Sequence, residues 1–133
     1  MRCTAVLLVL LLSISLVGHP VRRHARVSDP SYSTALATAN RFLHAWQTQD
    51  HEAGIMMLSD SARERTSLDQ LQAFFSPSDQ AAFEIQHGAR INGGEYVFPV
   101  VLFGVTESVQ RPHFCRIVIL RTSKGDWVVD KLP

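Results

Sequence analysis

Six histidines are the first place to look in this chain for acid–base or metal chemistry, and their spacing defeats most of it. A zinc hydrolase needs two histidines one helical turn apart with a glutamate between them. His51-Glu52 begins that pattern, but position 55 is Ile, so it fails. The other histidines are scattered, and neither a metal site nor a cofactor is called for. Gly88, Gly93 and Gly94 make no dinucleotide or phosphate loop, and no Gly-x-Ser-x-Gly nucleophile elbow occurs. Asp60 and Glu64, four apart, would share a helix face, but Arg63 and Arg65 beside them make it a solvated charged surface.

One histidine stands out. Phe83, Ile85, His87, Ala89 and Ile91 alternate with Glu84, Gln86, Gly88 and Arg90, the period-2 pattern of a strand with one buried face. His87 falls on the apolar side and is expected to point inward, where an imidazole can act as a general base. The alternative is a partly buried histidine satisfied by a backbone carbonyl. Asp130 is the candidate acidic partner for catalysis, and Tyr96 and Arg116 are candidate pocket residues alongside His87. Each has a structural alternative: Tyr96 as an amphipathic rim residue, Arg116 and Asp130 as outward-facing strand charges. His113, beside Pro112, is expected to be exposed.

Around these residues the pattern divides into helices followed by strands. Asp29-Pro30 is an N-cap followed by a pre-organised first helical residue. Tyr32, Leu36, Ala39, Leu43 and Trp46, with Phe42 beside them, then form one apolar helical stripe, and Thr34, Thr38, Arg41 and Thr48 fall largely elsewhere. Asp50 can cap a second helix through Ala53, Met56, Met57 and Leu58, with the two methionines expected in the core. Ser67-Leu68-Asp69-Gln70 reads as a capping box opening another helix, and Ser76-Pro77-Ser78-Asp79 ends the helical half.

Strands follow. Asn92-Gly93-Gly94 supplies a tight turn after the strand carrying His87. Glu95 to Thr106 is apolar at both parities, with Pro99 marking an edge or a bulge. Strands at His113 to Thr122 and Trp127 to Leu132 are joined at Ser123-Lys124-Gly125-Asp126 and should be antiparallel neighbours. The two-sided apolar strand predicts a homodimer through the sheet, because a monomer would expose its second face.

Composition and the N-terminus bound the function. With 13 Lys+Arg against 12 Asp+Glu in 133 residues, the +1 balance lacks the electrostatic footprint of a nucleic-acid binder. Ala5 to Val17 is an almost unbroken apolar run behind Arg2, closed by Gly18-His19-Pro20, so residues 1–18 read as a signal peptide and the protein as exported, periplasmic or secreted. The run is shorter than the roughly 18 to 20 residues of a membrane span. Neither a cut after Gly18 nor one after Ala25 places small residues properly, and Arg22, Arg23 and Arg26 follow the run. An uncleaved membrane anchor is therefore the alternative. Residues 19–28 read as a basic linker and 29–133 as a single domain. Beyond the signal, Cys115 is the one cysteine, read as a small buried hydrophobe rather than a reactive thiol.

The helix reading Ala39-Asn40-Arg41-Phe42-Leu43-His44-Ala45-Trp46, the Asp50-x-x-Ala53 restart, the Leu58-Ser59 end and the closing Gly125-Asp126-Trp127-Val128-Val129 resemble the nuclear-transport-factor-2-like superfamily, particularly its small exported bacterial members. The resemblance runs from Asp29 to Leu132. It implies an α+β fold in which N-terminal helices pack on a strongly bent antiparallel sheet, cone-like, whose mouth often forms a ligand pocket. That superfamily includes hydratases, isomerases and dehydratases as well as non-catalytic binding domains, so the fold does not choose a function. The first expectation is an exported, non-catalytic domain binding a small hydrophobic ligand or an envelope protein. The alternatives are a small cofactor-free lyase or isomerase using His87 in the cone pocket, and a structural dimerisation module.

Overall fold

The computed structural model describes residues 29–108 and 111–133. The signal, linker and anchor readings of residues 1–28 lie outside the described residues. No helix among those described is long and apolar enough to cross a membrane.

Helix α1 spans Pro30–Gln47, opened by the Asp29 cap, whose carboxylate accepts from the Ser31 N–H at 3.0 Å, and by Pro30 in its first turn. Its buried stripe contains Ala35, Ala39, Phe42, Leu43 and Trp46. Thr38, off the apolar stripe in the sequence, is buried too; its hydroxyl donates to the Thr34 carbonyl, which lets the helix hide a polar group without leaving it unpaired. Gln49, in the left-handed region at φ 58°, turns the chain into α2 (His51–Met56). Next comes α3 (Asp60–Arg65), capped by Ser59, a helix the sequence pattern does not announce because only Ala62 of its six residues is buried. The capping box at Ser67 and Gln70 forms as expected and starts α4 (Leu68–Phe74). Met56, expected in the core, is 73% exposed. It ends a short helix whose one buried residue is Gly54, where a Cβ would lie 2.1 Å from the Phe75 ring.

Five strands follow: β1 (Ala82–Ile85), β2 (Ala89–Asn92), β3 (Glu95–Phe103), β4 (His113–Arg121) and β5 (Trp127–Lys131). All are antiparallel, in the order β1-β3-β4-β5, with β2 also pairing β3. The architecture is the expected α+β one, helices against an antiparallel sheet. Tyr96, Phe98, Val100 and Leu102 of β3, Ile117 and Ile119 of β4 and Val129 of β5 meet Phe42, Leu43, Trp46 and Phe75 in one core.

Two strand expectations need correction. The single strand through His87 is broken, since β1 stops at Ile85 and β2 begins at Ala89. At Gly88 a Cβ would lie 2.3 Å from the Phe98 ring and 2.8 Å from the Val97 carbonyl, so the chain crosses too close to β3 for a side chain. Pro99 occupies neither an edge nor a bulge: its strand has β1 on one side and β4 on the other. Gln86 donates to the Pro99 carbonyl at 2.9 Å, so the missing proline N–H falls where β1 has just ended.

Candidate functional site

The four candidate residues do not assemble. His87 is exposed in the gap between β1 and β2 rather than turned into the core, because the interruption of the strand around Gly88 abolishes the alternation that would have aimed it inward. Its Nδ1 lies 3.3 Å from the Tyr32 hydroxyl, and the two rings are 5.5 Å apart. The same hydroxyl accepts from the Gly88 N–H at 3.2 Å. Tyr32 thereby ties the first turn of α1 to the gap in the sheet.

Asp130 lies at the other edge, on β5. It accepts from the Ser59 hydroxyl at 2.7 Å, and its carboxylate is 3.5 Å from the Arg65 guanidinium, which also donates to the Asp130 carbonyl at 2.6 Å. That carboxylate secures α3 to β5 and does not meet His87. Arg116 is exposed on the outer face of β4, opposite Pro99. His113 is exposed, as its sequence position implies.

Tyr96 is not a rim residue; it is 1% exposed. Its hydroxyl donates to the Asp29 carboxylate at 2.5 Å. That bond holds Asp29 below the ordinary carboxylate value, assisted by the Ser31 N–H and the nearby Arg90, while desolvation opposes them. The same bond, followed by desolvation, raises the Tyr96 phenol. One carboxylate thus caps α1 and fastens it to β3. Asp29 is legible as a cap in the sequence, but its partner 67 positions away is not.

What the chain does build is a groove of about 560 Å³ between α1 and β1, lined by Tyr32, Ser33, Leu36, Ala37, Asn40, Phe83 and Ile85. It follows from two periodicities meeting: the flank of the α1 stripe and the inward side of β1, where Phe83 and Ile85 pair with the core residues Leu102 and Val100. The wider interior of the sheet is filled instead. Phe42, Trp46, Phe75, Tyr96 and Phe98 are all within 1% of complete burial. The Trp46 indole N–H is the one buried side-chain polar atom without a hydrogen-bond partner among the described residues. Burial also raises the Cys115 thiol, whose half-buried sulfur lies 3.5 Å from the Val100 carbonyl, in keeping with a packing role. No group of three or more His, Cys, Asp or Glu among the described residues is placed to hold a metal ion.

The fold is similar to that of a ketosteroid isomerase-like protein from Erwinia carotovora atroseptica, at 15% identity and a TM-score of 0.54 over 76% of this chain and 92% of that one. It is also similar to a provisionally named ketosteroid isomerase from Shewanella frigidimarina, at 12% identity and a TM-score of 0.59 over 75% of this chain and 93% of that one. No family model and no curated protein matches the chain. At these identities the likeness concerns the fold alone, and it is in keeping with the expected α+β architecture of helices packed on an antiparallel sheet.

Proposed function

We propose that this is a non-catalytic binding domain whose ligand, a small apolar molecule or an apolar stretch of a protein partner, sits in the groove between α1 and β1. The observation that carries the reading is the groove itself, apolar at Leu36, Phe83 and Ile85, with polar groups at Tyr32, Ser33 and Asn40. Its volume falls within the roughly 300–1,000 Å³ of small-molecule sites. Dispersal of the proton-handling residues supports the non-catalytic part: His87 and Asp130 have separate partners at opposite sheet edges. The test is an NMR titration with the apolar probe 1-anilinonaphthalene-8-sulfonate. Shifts should concentrate on α1 and β1 and vanish in Ala37→Trp, an exposed helix position where the indole fills the groove. Shifts elsewhere, or unaffected by that substitution, would overturn the reading. Export belongs to the same proposal. N-terminal sequencing of chain from the extracytoplasmic fraction should find it shortened, and recovery of full-length cytosolic chain alone would refute it.

One contact favours an isomerase reading: the Tyr32 hydroxyl and His87 Nδ1, 3.3 Å apart, put a base and a phenol side by side beside the groove. The names of the two similar structures supply the reaction to try, isomerisation of a ketosteroid. Turnover lost in His87→Ala, with probe binding retained, would establish it; no turnover in the unaltered chain dismisses it.

The apolar back of the sheet favours a homodimer. Val97, Pro99 and Phe103 of β3, half-buried, alternate with its core residues, and Phe114, opposite the buried Val101, is 74% exposed. Sedimentation at micromolar concentration should show a dimer that Phe114→Lys dissociates.

A further inference from the structure

Strand β1 is terminal in the sheet, and its backbone can be oriented from one bond. Gln86 donates to the Pro99 carbonyl, and antiparallel pairing alternates, so Glu84 and Ala82, in the same register, also direct their N–H and C=O groups toward β3. Those of Phe83 and Ile85 point off the sheet. Among the described residues no strand pairs with that side of β1. The same two residues turn their side chains into the α1 groove. Unpaired backbone donors and acceptors therefore run directly beside an apolar slot, an arrangement that accepts an extended chain as an added strand.

Charge selects the occupant. Glu84 lies between Phe83 and Ile85, is exposed on the opposite face, and enters no ion pair among the described residues. A second copy pairing antiparallel about Glu84 would set two carboxylates directly opposite one another, which is destabilising. A basic residue there is favourable, and its two neighbours, opposite Phe83 and Ile85, would enter the groove and should be apolar. A small apolar molecule has no donors or acceptors for the backbone row.

We propose that the β1 edge and the α1 groove together form a strand-addition site for an extended segment of another protein, with the pattern apolar–basic–apolar. This rests on the binding reading above and names its ligand class. The test titrates the full chain with acetyl-Thr-Val-Lys-Val-Thr-amide, with the same peptide N-methylated at both valines, and with a Lys-to-Glu version. The parent peptide should shift Phe83–Ile85 and the exposed side of α1. N-methylation, which deletes the donors to Phe83 and Ile85, should weaken binding about tenfold or more. Glu84→Lys should reverse the preference between the Lys and Glu peptides. Equal binding of the N-methylated peptide, or no binding of the parent, overturns the proposal. If the parent fails while 1-anilinonaphthalene-8-sulfonate still binds in an Ala37→Trp-sensitive manner, this inference falls and the groove reading stands; if the probe fails too, both fall.

Discussion

The two edges of the sheet are finished in opposite ways. At β5 the helical half closes the edge: Leu58 bridges Val129, the Ser59 N–H donates to the Val129 carbonyl at 2.9 Å, and the Val129 N–H donates to Met57 at 2.8 Å. Ser59 and Arg65 then secure Asp130. At β1 no backbone pairs with the edge among the described residues; α1 reaches it with the Gln47 side chain, which donates to the Ala81 carbonyl at 2.8 Å, and otherwise walls a groove. An edge whose polar backbone is paired contributes stability and offers no hydrogen bonds to an added strand; an unpaired edge beside apolar side chains offers both hydrogen bonds and buried area. Strand addition is therefore expected at β1, and mutational fragility at β5.

The largest expected effect breaks the closed side. Leu58 is 1% exposed, and Leu58→Ala should cost about 2–5 kcal/mol in chemical denaturation, the range for emptied buried leucine sites. Leu36→Ala, in the groove wall and only half-buried, should cost about 1 kcal/mol. Equal costs would erase the distinction between the two edges.

A smaller effect comes from the polar fastening on the open side. Asp29 titrates lower when folded than its ordinary 3.8, so its contribution is in place above that value and is lost as pH falls through the folded one. Tyr96 titrates higher when folded than its ordinary 10.0, so its contribution is in place below that value and is lost as pH rises through the folded one. Stability measured against pH should show a plateau between about 4 and 9, the buried Cys115 thiol, raised from its ordinary 9.0, joining Tyr96 in the alkaline loss. Tyr96→Phe, which removes the shared hydrogen bond, should flatten the acid shoulder and lessen the alkaline one, and unchanged shoulders would place the pH dependence elsewhere.

The smallest effect is at the exposed part of the β5 closure. Arg65, with its side chain 57% exposed, should cost about 0–1 kcal/mol on Arg65→Gln, because solvent screens the pair. A larger loss would show that the Asp130 contacts, rather than the apolar Leu58 bridge, hold α3 to the sheet.

The helical half was largely legible in the residues. Asp29, Asp50 and Ser67 cap helices in the structure as their sequence contexts imply, because a cap acts over three or four residues. The two-sided apolar pattern of β3 likewise matches a strand with neighbours on both sides and an apolar back. Local reach also explains the failures. His87 obeys the period of a strand that does not continue, and only the clash of a side chain at Gly88 with Phe98 and Val97 of β3 reveals the break. Tyr96 and Asp29 are separated by 67 residues and share one hydrogen bond, a pairing no local spacing encodes. Periodicity and capping are short-range, so they determine which segments become helices and strands and which side chains face inward. Which edge is sealed, which is left open, and which distant polar groups meet depend on how α1 crosses the sheet, and that is decided by the mutual packing of Trp46, Phe42, Phe75, Phe98 and Tyr96 in three dimensions.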